Sequence, residues 1–217
     1  MEYIQHILSF LVHIDDYLIA FVSHYGVWTY VILFSIIFCE TGLVVFPFLP
    51  GDSLLFAAGS IAATENEPLN IGLLFFLLTL ASILGNKLNY LIGVRVGPRV
   101  FKGSKYRLFS KKHLEDAHRF YEKHGGKTII LARFVPILRT FAPFVAGIAY
   151  MSLSQFSLYN IVSGLLWIGT LLYAGYFFGG LPFIKDNFSI VVYAVVALSL
   201  LPPLFAFLYR RFIPDNG

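Results

Sequence analysis

The sequence predicts an all-α polytopic membrane protein, and three observations carry that prediction. The 217 residues are 58% hydrophobic and only 13% charged, with a mean hydropathy of +0.75. A soluble domain carries about 25% charged residues, so too little polar surface remains to cover a water-soluble globule. The apolar segments 69–94, 156–179 and 188–209 are each long enough to cross a bilayer core of ~20 residues. The charge is also segregated. Residues 1–86 contain no Lys or Arg and seven acids, whereas ten of the 16 basic residues lie between Arg95 and Lys127. Between apolar segments, such a block reads as a cytoplasmic loop under the positive-inside rule rather than as a nucleic-acid surface. It also has the charge to touch anionic lipid headgroups.

In chain order, residues 4–24 are a mixed stretch interrupted by Asp15 and Asp16, expected to lie as an amphipathic helix on the interface or to form a poor first span. Residues 1–14 lack the basic n-region of a secretory signal, so the chain is expected to be inserted and retained whole. Residues 28–62 are apolar but broken by Glu40, Gly42, Pro47, Pro50, Gly51 and Asp52. An acidic loop, Thr64–Pro68, leads to the span 69–94. The basic loop 95–126 follows, with a helical stretch around Lys111–His124. Residues 127–150 are again apolar and broken, by Arg133, Pro136, Arg139 and Pro143. Two spans, about 155–180 and 188–209, complete a single membrane domain covering 1–217.

Charge separates spanning from re-entrant segments. With Lys127 and Arg210–Arg211 both cytoplasmic, an even number of crossings must follow Lys127. The last two apolar segments supply them, so 127–150 is expected to enter and return on one face. Prolines in its middle suit such a hairpin, because they remove helix hydrogen bonds. Broken backbone at this depth is tolerated where protein or a water-filled cavity surrounds it.

The two broken segments read as a diverged repeat. Phe21…Gly26…Thr29 recurs as Phe120…Gly125…Thr128, Phe56-x-Ala58-Gly59 as Phe144-x-Ala146-Gly147, and Gly93-x-x-x-Gly97 as Gly175-x-x-x-Gly179. The offsets are 99, 88 and 82 residues, in the same order. Surface helix, broken hairpin and full span follow one another twice, with repeat one at about 4–94. The hairpins would enter from opposite faces, which is the inverted-topology architecture of many secondary transporters.

Four charges sit inside the broken segments: Glu40, Asp52, Arg133 and Arg139. Isolated at the bilayer centre they would together cost roughly 10–14 kcal/mol on insertion scales. Two acids and two arginines sum to zero, so pairing across the hairpins offsets much of this. They either staple the hairpins together or do chemistry. Buried ion pairs stabilise poorly compared with apolar packing, which favours the second reading. Arg133 and Arg139 are six residues apart, about 240° around an unbroken helix, but Pro136 lies between them and can turn the chain so that both heads converge. Two guanidiniums at a hairpin tip form a phosphate-type anion site. Glu40 and Asp52 flank Pro47, Pro50 and Gly51, where desolvated neighbouring carboxylates are candidates for proton exchange.

Other signals are weaker. Asn86, Lys87 and Asn89 lie late in a span, where Lys87 can snorkel to the interface. Cys39, the single cysteine, reads as packing and excludes a multi-cysteine metal site. His113, His118 and His124 lack the i, i+4 spacing of helical metal ligands and read as solvated. No metal or cofactor is expected. The two Gly-x-x-x-Gly pairs mark close helix packing, and Tyr and Trp near span ends fit interfacial belts. No Gly-x-Ser-x-Gly, His-Glu-x-x-His or P-loop pattern occurs, and no His lies among the buried motifs, so the chain is not expected to be an enzyme such as a lipid phosphatase.

Glu40-Thr-Gly…Phe48-Leu-Pro-Gly-Asp52-Ser, Phe120-Tyr-Glu-Lys-His-Gly-Gly126 and Arg133-Phe-Val-Pro-Ile-Leu-Arg139-Thr-Phe-Ala-Pro143…Ala146-Gly147 closely resemble the DedA family of SNARE-associated or VTT-domain membrane proteins. The resemblance runs from about His13 to Gly179 and implies two opposed re-entrant hairpins. It further implies translocation of undecaprenyl phosphate, the carrier lipid of envelope glycans, across a bacterial inner membrane for reuse, with proton-dependent envelope homeostasis. Eukaryotic relatives are lipid scramblases. By residue, the family's acidic pair matches Glu40 and Asp52, and its arginine pair matches Arg133 and Arg139. Many relatives carry Gly-Asp before x-x-Asn-Tyr in the third segment, whereas this chain reads Gly85-Asn86-Lys-Leu-Asn89-Tyr90. One titratable group is therefore missing. The expected partners are undecaprenyl phosphate or another anionic lipid, bulk membrane lipids and protons, with self-association open and nucleic acid excluded. The competing functions are a proton-coupled small-ion transporter, a general phospholipid scramblase and a purely structural scaffold.

Overall fold

The computed structural model describes residues 25–43, 51–63, 69–102, 126–179 and 181. The expected surface helix at 4–24, Pro47 and Pro50, the histidines of the basic loop and the last span at 188–209 lie outside them. The described residues form six helices: α1 Trp28–Gly42, α2 Gly51–Ala62, α3 Ile71–Lys102, α4 Lys127–Ala132, α5 Pro136–Ile148 and α6 Leu153–Phe178.

Each broken apolar segment is a pair of short helices, and each unbroken one is a long rod. Ile71–Val96 and Leu153–Phe178 are long and apolar enough to span a membrane. At 1.5 Å per residue each 26-residue rod covers ~39 Å, more than the ~30 Å hydrocarbon core. Their outer faces are apolar, with Leu73, Phe76, Leu80 and Leu84 exposed on α3 and Leu158, Leu165 and Leu166 on α6. Their inner faces bury Ser82, Asn86, Asn89, Asn160 and Ser163. This reverses the amphipathicity of a soluble bundle and fits a polytopic membrane protein. Hydroxyls within apolar helices turn back on their own backbone, Thr41 to the Ile37 carbonyl (2.8 Å) and Thr170 to that of Leu166 (2.8 Å). No hydroxyl donor is thereby orphaned at these two sites. The helix α3 runs on to Lys102, past the boundary expected at Val94 and through Gly97 and Pro98.

The second broken segment is interrupted once. α4 ends at Arg133, Val135 is extended (φ −112°, ψ 113°), and α5 restarts with Pro136 in its first turn. Proline there is pre-set for helix and its missing N–H was unpaired anyway. Pro143, expected as a further break, lies inside α5, which continues through Arg139 and Pro143 to Ile148. Two successive bonds, from Tyr150 N–H to Gly147 O and Met151 N–H to Ala146 O, close α5 with Tyr150 at φ 56°. That is a Schellman ending. Ser152 then caps α6 by accepting from the Gln155 N–H (3.4 Å).

Packing follows an exchange pattern: α2 lies on α6 and α5 on α3, while α1 joins α3 and α4 joins α6. The two exchanged contacts have the same construction. A Cβ on Gly59 of α2 would strike the Leu172 carbonyl, and one on Gly175 of α6 would strike that of Phe56. A Cβ on Gly147 of α5 would strike the Tyr90 carbonyl, and one on Gly93 of α3 would strike that of Phe144. Shifting the first set by the sequence offsets of 88 and 82 residues gives the second. Gly93 and Gly175 thus mark close helix packing, as their motifs predict.

Two apolar clusters fill the bundle. One gathers Leu33, Ile37, Leu55, Leu74, Leu78, Trp167, Ile168 and Leu172 among its members. The other gathers Tyr90, Ile129, Ala146, Met151 and Phe156, where Tyr90 stacks on Phe156 at 4.4 Å and donates its hydroxyl to the Met151 carbonyl. Along α3 the chain passes from the first cluster through Ser82, Asn86 and Asn89 to the second. Along α6 it passes from the second through Asn160 and Ser163 to the first. The two rods therefore run antiparallel, and a polar layer crosses them near mid-length.

Candidate functional site

The polar layer contains all four charges. Glu40 comes from the last turn of α1, Asp52 from the first turn of α2, Arg139 from α5, and Arg133 from the end of α4. Glu40, Arg133 and Arg139 are almost fully buried. Asp52 stands where the unpaired N–H groups at the start of α2 favour negative charge. Gly51 beside it has a steric role, since a Cβ there would overlap the Glu40 carboxylate.

Arg139 holds both acids. Its Nη1 donates to Asp52 Oδ1 at 2.6 Å, and its Nη2 pairs with Glu40 Oε1. One guanidinium thus ties α5 to both α1 and α2. The Trp167 indole N–H also donates to Asp52 Oδ1, at 3.0 Å. Asn89 joins the same helices lower down, donating to the carbonyls of Thr41 (3.3 Å) and Thr140 (2.7 Å).

Arg133 has different company. Its Nη1 donates to Asn160 Oδ1 (3.1 Å) and Ser163 Oγ (3.1 Å), and its Nη2 donates to Ser82 Oγ. Every acceptor is neutral, and its buried Nε has none. Asn160 is fixed in turn, accepting from Asn86 Nδ2 (3.0 Å) and donating to the Ile83 carbonyl (3.0 Å). The Trp167 ring lies between the two environments in a chemical sense: the Arg133 and Arg139 guanidinium carbons sit 5.3 and 5.1 Å from its centroid.

The sequence-selected residues Glu40, Asp52, Arg133, Arg139, Gly51, Asn86 and Asn89 therefore meet in one layer. Pro136 opens α5 and Pro143 lies inside it. Trp167, Asn160, Ser82 and Ser163 escaped sequence reasoning. Trp28 is 66% exposed, as an interfacial aromatic would be, but Trp167 is 1% exposed at mid-span. A lone Asn inside an apolar span was the available signal for Asn160. Serines in a membrane helix carry none, because most are satisfied by their own backbone. Among the described residues, no three His, Cys, Asp or Glu side chains gather to hold a metal.

The chain is similar to known proteins. The VTT domain family matches residues 49–177. The chain is 50% identical to Protein DedA of Escherichia coli (strain K12), over 93% of this chain and 92% of that protein. It is 47% identical to an uncharacterized membrane protein of Mycobacterium tuberculosis (strain H37Rv), over 78% and 74% of the two chains. It is 32% identical to Inner membrane protein YghB of Escherichia coli (strain K12), over 84% and 86%. No solved structure matches the chain.

Proposed function

The chain belongs to the VTT-domain family, and from that premise we propose that it moves undecaprenyl phosphate across the bacterial inner membrane, returning the carrier lipid for reuse. The observation that carries the proposal is the unequal treatment of two buried arginines. Arg139 is ion-paired directly with both Glu40 and Asp52. Arg133 keeps its charge among neutral acceptors, so it is the group available to a phosphate. The headgroup would meet Arg133 at mid-bundle while the polyprenyl tail stays in lipid.

The architecture supports a carrier of this kind. We read α1–α2 and α4–α5 as opposed re-entrant hairpins, each completed by a long rod of an inverted repeat. The duplicated contacts of Phe56 with Gly175 and Phe144 with Gly93, and the antiparallel rods, favour that reading. The hairpins would alternate in opening the mid-bundle layer. Protonation of Glu40 or Asp52 would break an ion pair to Arg139 and release α5 from α1 or α2, which is how protons would couple to movement. The basic segment 95–127 and the C-terminus would face the cytoplasm.

Reconstitution tests the proposal. Vesicles holding the wild-type protein should translocate labelled undecaprenyl phosphate, and Arg133→Ala should abolish it. Unchanged translocation by Arg133→Ala would sink the proposal. Cation flux driven by a pH gradient in vesicles without polyprenyl lipid would favour a small-ion transporter instead.

A further inference from the structure

The Arg133 surroundings carry a second question: why no acid is there. A guanidinium has five N–H donors. Three go to Ser82, Asn160 and Ser163, and the buried Nε has no acceptor. Arg133 is only 3% exposed. A buried charge is costly unless it is paired, and neutral hydrogen bonds replace only part of its hydration. Among the described residues, no carboxylate lies within ion-pair distance of it. Arg133 thus lacks the direct carboxylate partner, one negative charge, that Arg139 has twice over.

Asn160 occupies the place where that charge would fit. Its Oδ1 points at Arg133 because its Nδ2 is engaged by the Ile83 carbonyl, and Asn86 donates to the same Oδ1. A carboxylate of the same shape at this position would neutralise Arg133 permanently. An amide orients the guanidinium without neutralising it. We infer that Asn160, held by Asn86, is the specificity-determining residue of the site: it reserves the Arg133 charge for a phosphate monoester. Ser82 and Ser163 complete the cradle as neutral acceptors that phosphate oxygens can replace without breaking an ion pair. By the same logic a neutral lipid gains nothing there. This inference rests on the lipid-phosphate reading and adds the residue that sets its charge selectivity.

Native mass spectrometry of the full chain tests it, with undecaprenyl phosphate, its neutral alcohol undecaprenol, and excess inorganic phosphate as probes. The wild-type protein is expected to prefer the phosphate lipid, and inorganic phosphate is expected not to displace it. Asn160→Asp is expected to lose roughly ten- to hundredfold in affinity for the phosphate lipid, to leave undecaprenol binding as it was, and to keep or raise the unfolding temperature. Asn86→Asp, one side chain further from Arg133, should move preference the same way by less. A wild-type preference that survives Asn160→Asp overturns the inference while leaving the lipid-phosphate reading in place. So does an equal loss of both lipids with a lower unfolding temperature, which is what a merely structural Asn160 predicts. If Asn160→Asp does not fold, an unaltered preference in Asn86→Asp overturns it alone. Wild-type protein that does not distinguish the two lipids, or Arg133→Ala that binds like wild type, overturns the functional reading and the inference together. Displacement by inorganic phosphate would assign the site to a free anion and overturn the lipid as its source.

Discussion

Arg139 and Arg133 carry the same guanidinium, are buried in the same layer and touch the same indole ring, yet one is saturated with charge and the other is not. Arg139 bridges Glu40 and Asp52. Arg133 rests on Ser82, Asn160 and Ser163. The difference lies in what each helix offers. α1 and α2 bring carboxylates, while α3 and α6 bring amides and hydroxyls. A neutral sum over four charges therefore conceals a separation between an ionic clasp, Arg139 with Glu40 and Asp52, and an open cation whose acceptors are all neutral. The clasp is a structural tie between short helices. The cation is the group that the proposed function assigns to the lipid phosphate.

The largest test of that contrast is stability. Arg139→Ala leaves the buried Glu40 and the half-buried Asp52 without their direct cation, and is expected to destabilise by about 3–5 kcal/mol, as for other broken buried pairs. Arg133→Ala removes a charge that has no acid. Asn160 keeps its bond from Asn86 and Ser163 keeps its bond to the Asn160 carbonyl, so the cost is expected near 1–2 kcal/mol. Unfolding of both variants in the same detergent measures this. The reverse order would dissolve the distinction between clasp and open cation.

A double-mutant cycle sharpens it further. Asp52→Asn combined with Arg139→Gln should show a coupling of roughly 1–3 kcal/mol, because the two side chains share a direct ion pair. Asp52→Asn combined with Arg133→Gln should couple by less than that, because among the described residues no direct ion pair joins these two and they share Trp167 instead. Similar couplings in both cycles would mean that the four charges form one network and that no arginine stands apart.

The sequence made the class of fold and the four charges legible, and stopped short of how those charges divide. Segment length predicts rods at 69–94 and about 155–180, found as Ile71–Val96 and Leu153–Phe178, because bilayer thickness dictates it. The glycine offsets of 88 and 82 are legible because only a residue without Cβ lets Gly59, Gly93, Gly147 and Gly175 meet a facing carbonyl. Pro143 was misread as a break because a proline's effect depends on whether the freed carbonyl finds another partner, and sequence does not say. The Arg133 cradle was illegible for a related reason. Ser82, Asn160 and Ser163 are distant in sequence and carry no charge, so only the crossing of α3 and α6 reveals them. Trp167 was equally silent, since a buried indole and an interfacial one are spelled the same way.

Trp167 gives the smallest expected effect and the finest test of where the two environments join. Its ring contacts both guanidiniums, and its N–H reaches only the acidic side, at Asp52. Trp167→Phe removes the N–H and keeps an aromatic face. It is expected to cost about 1 kcal/mol, one hydrogen bond to an oxygen that Arg139 still holds. Trp167→Leu removes the face as well, and should lose roughly 1–2 kcal/mol more if both cation–π contacts contribute. Phosphate-lipid affinity separates the roles. Because the N–H serves the clasp and not the cradle, Trp167→Phe should leave that affinity near wild type while Trp167→Leu lowers it. An equal loss of affinity in both variants would show that Asp52 reaches Arg133 through the indole N–H, and that the clasp and the open cation act as one unit.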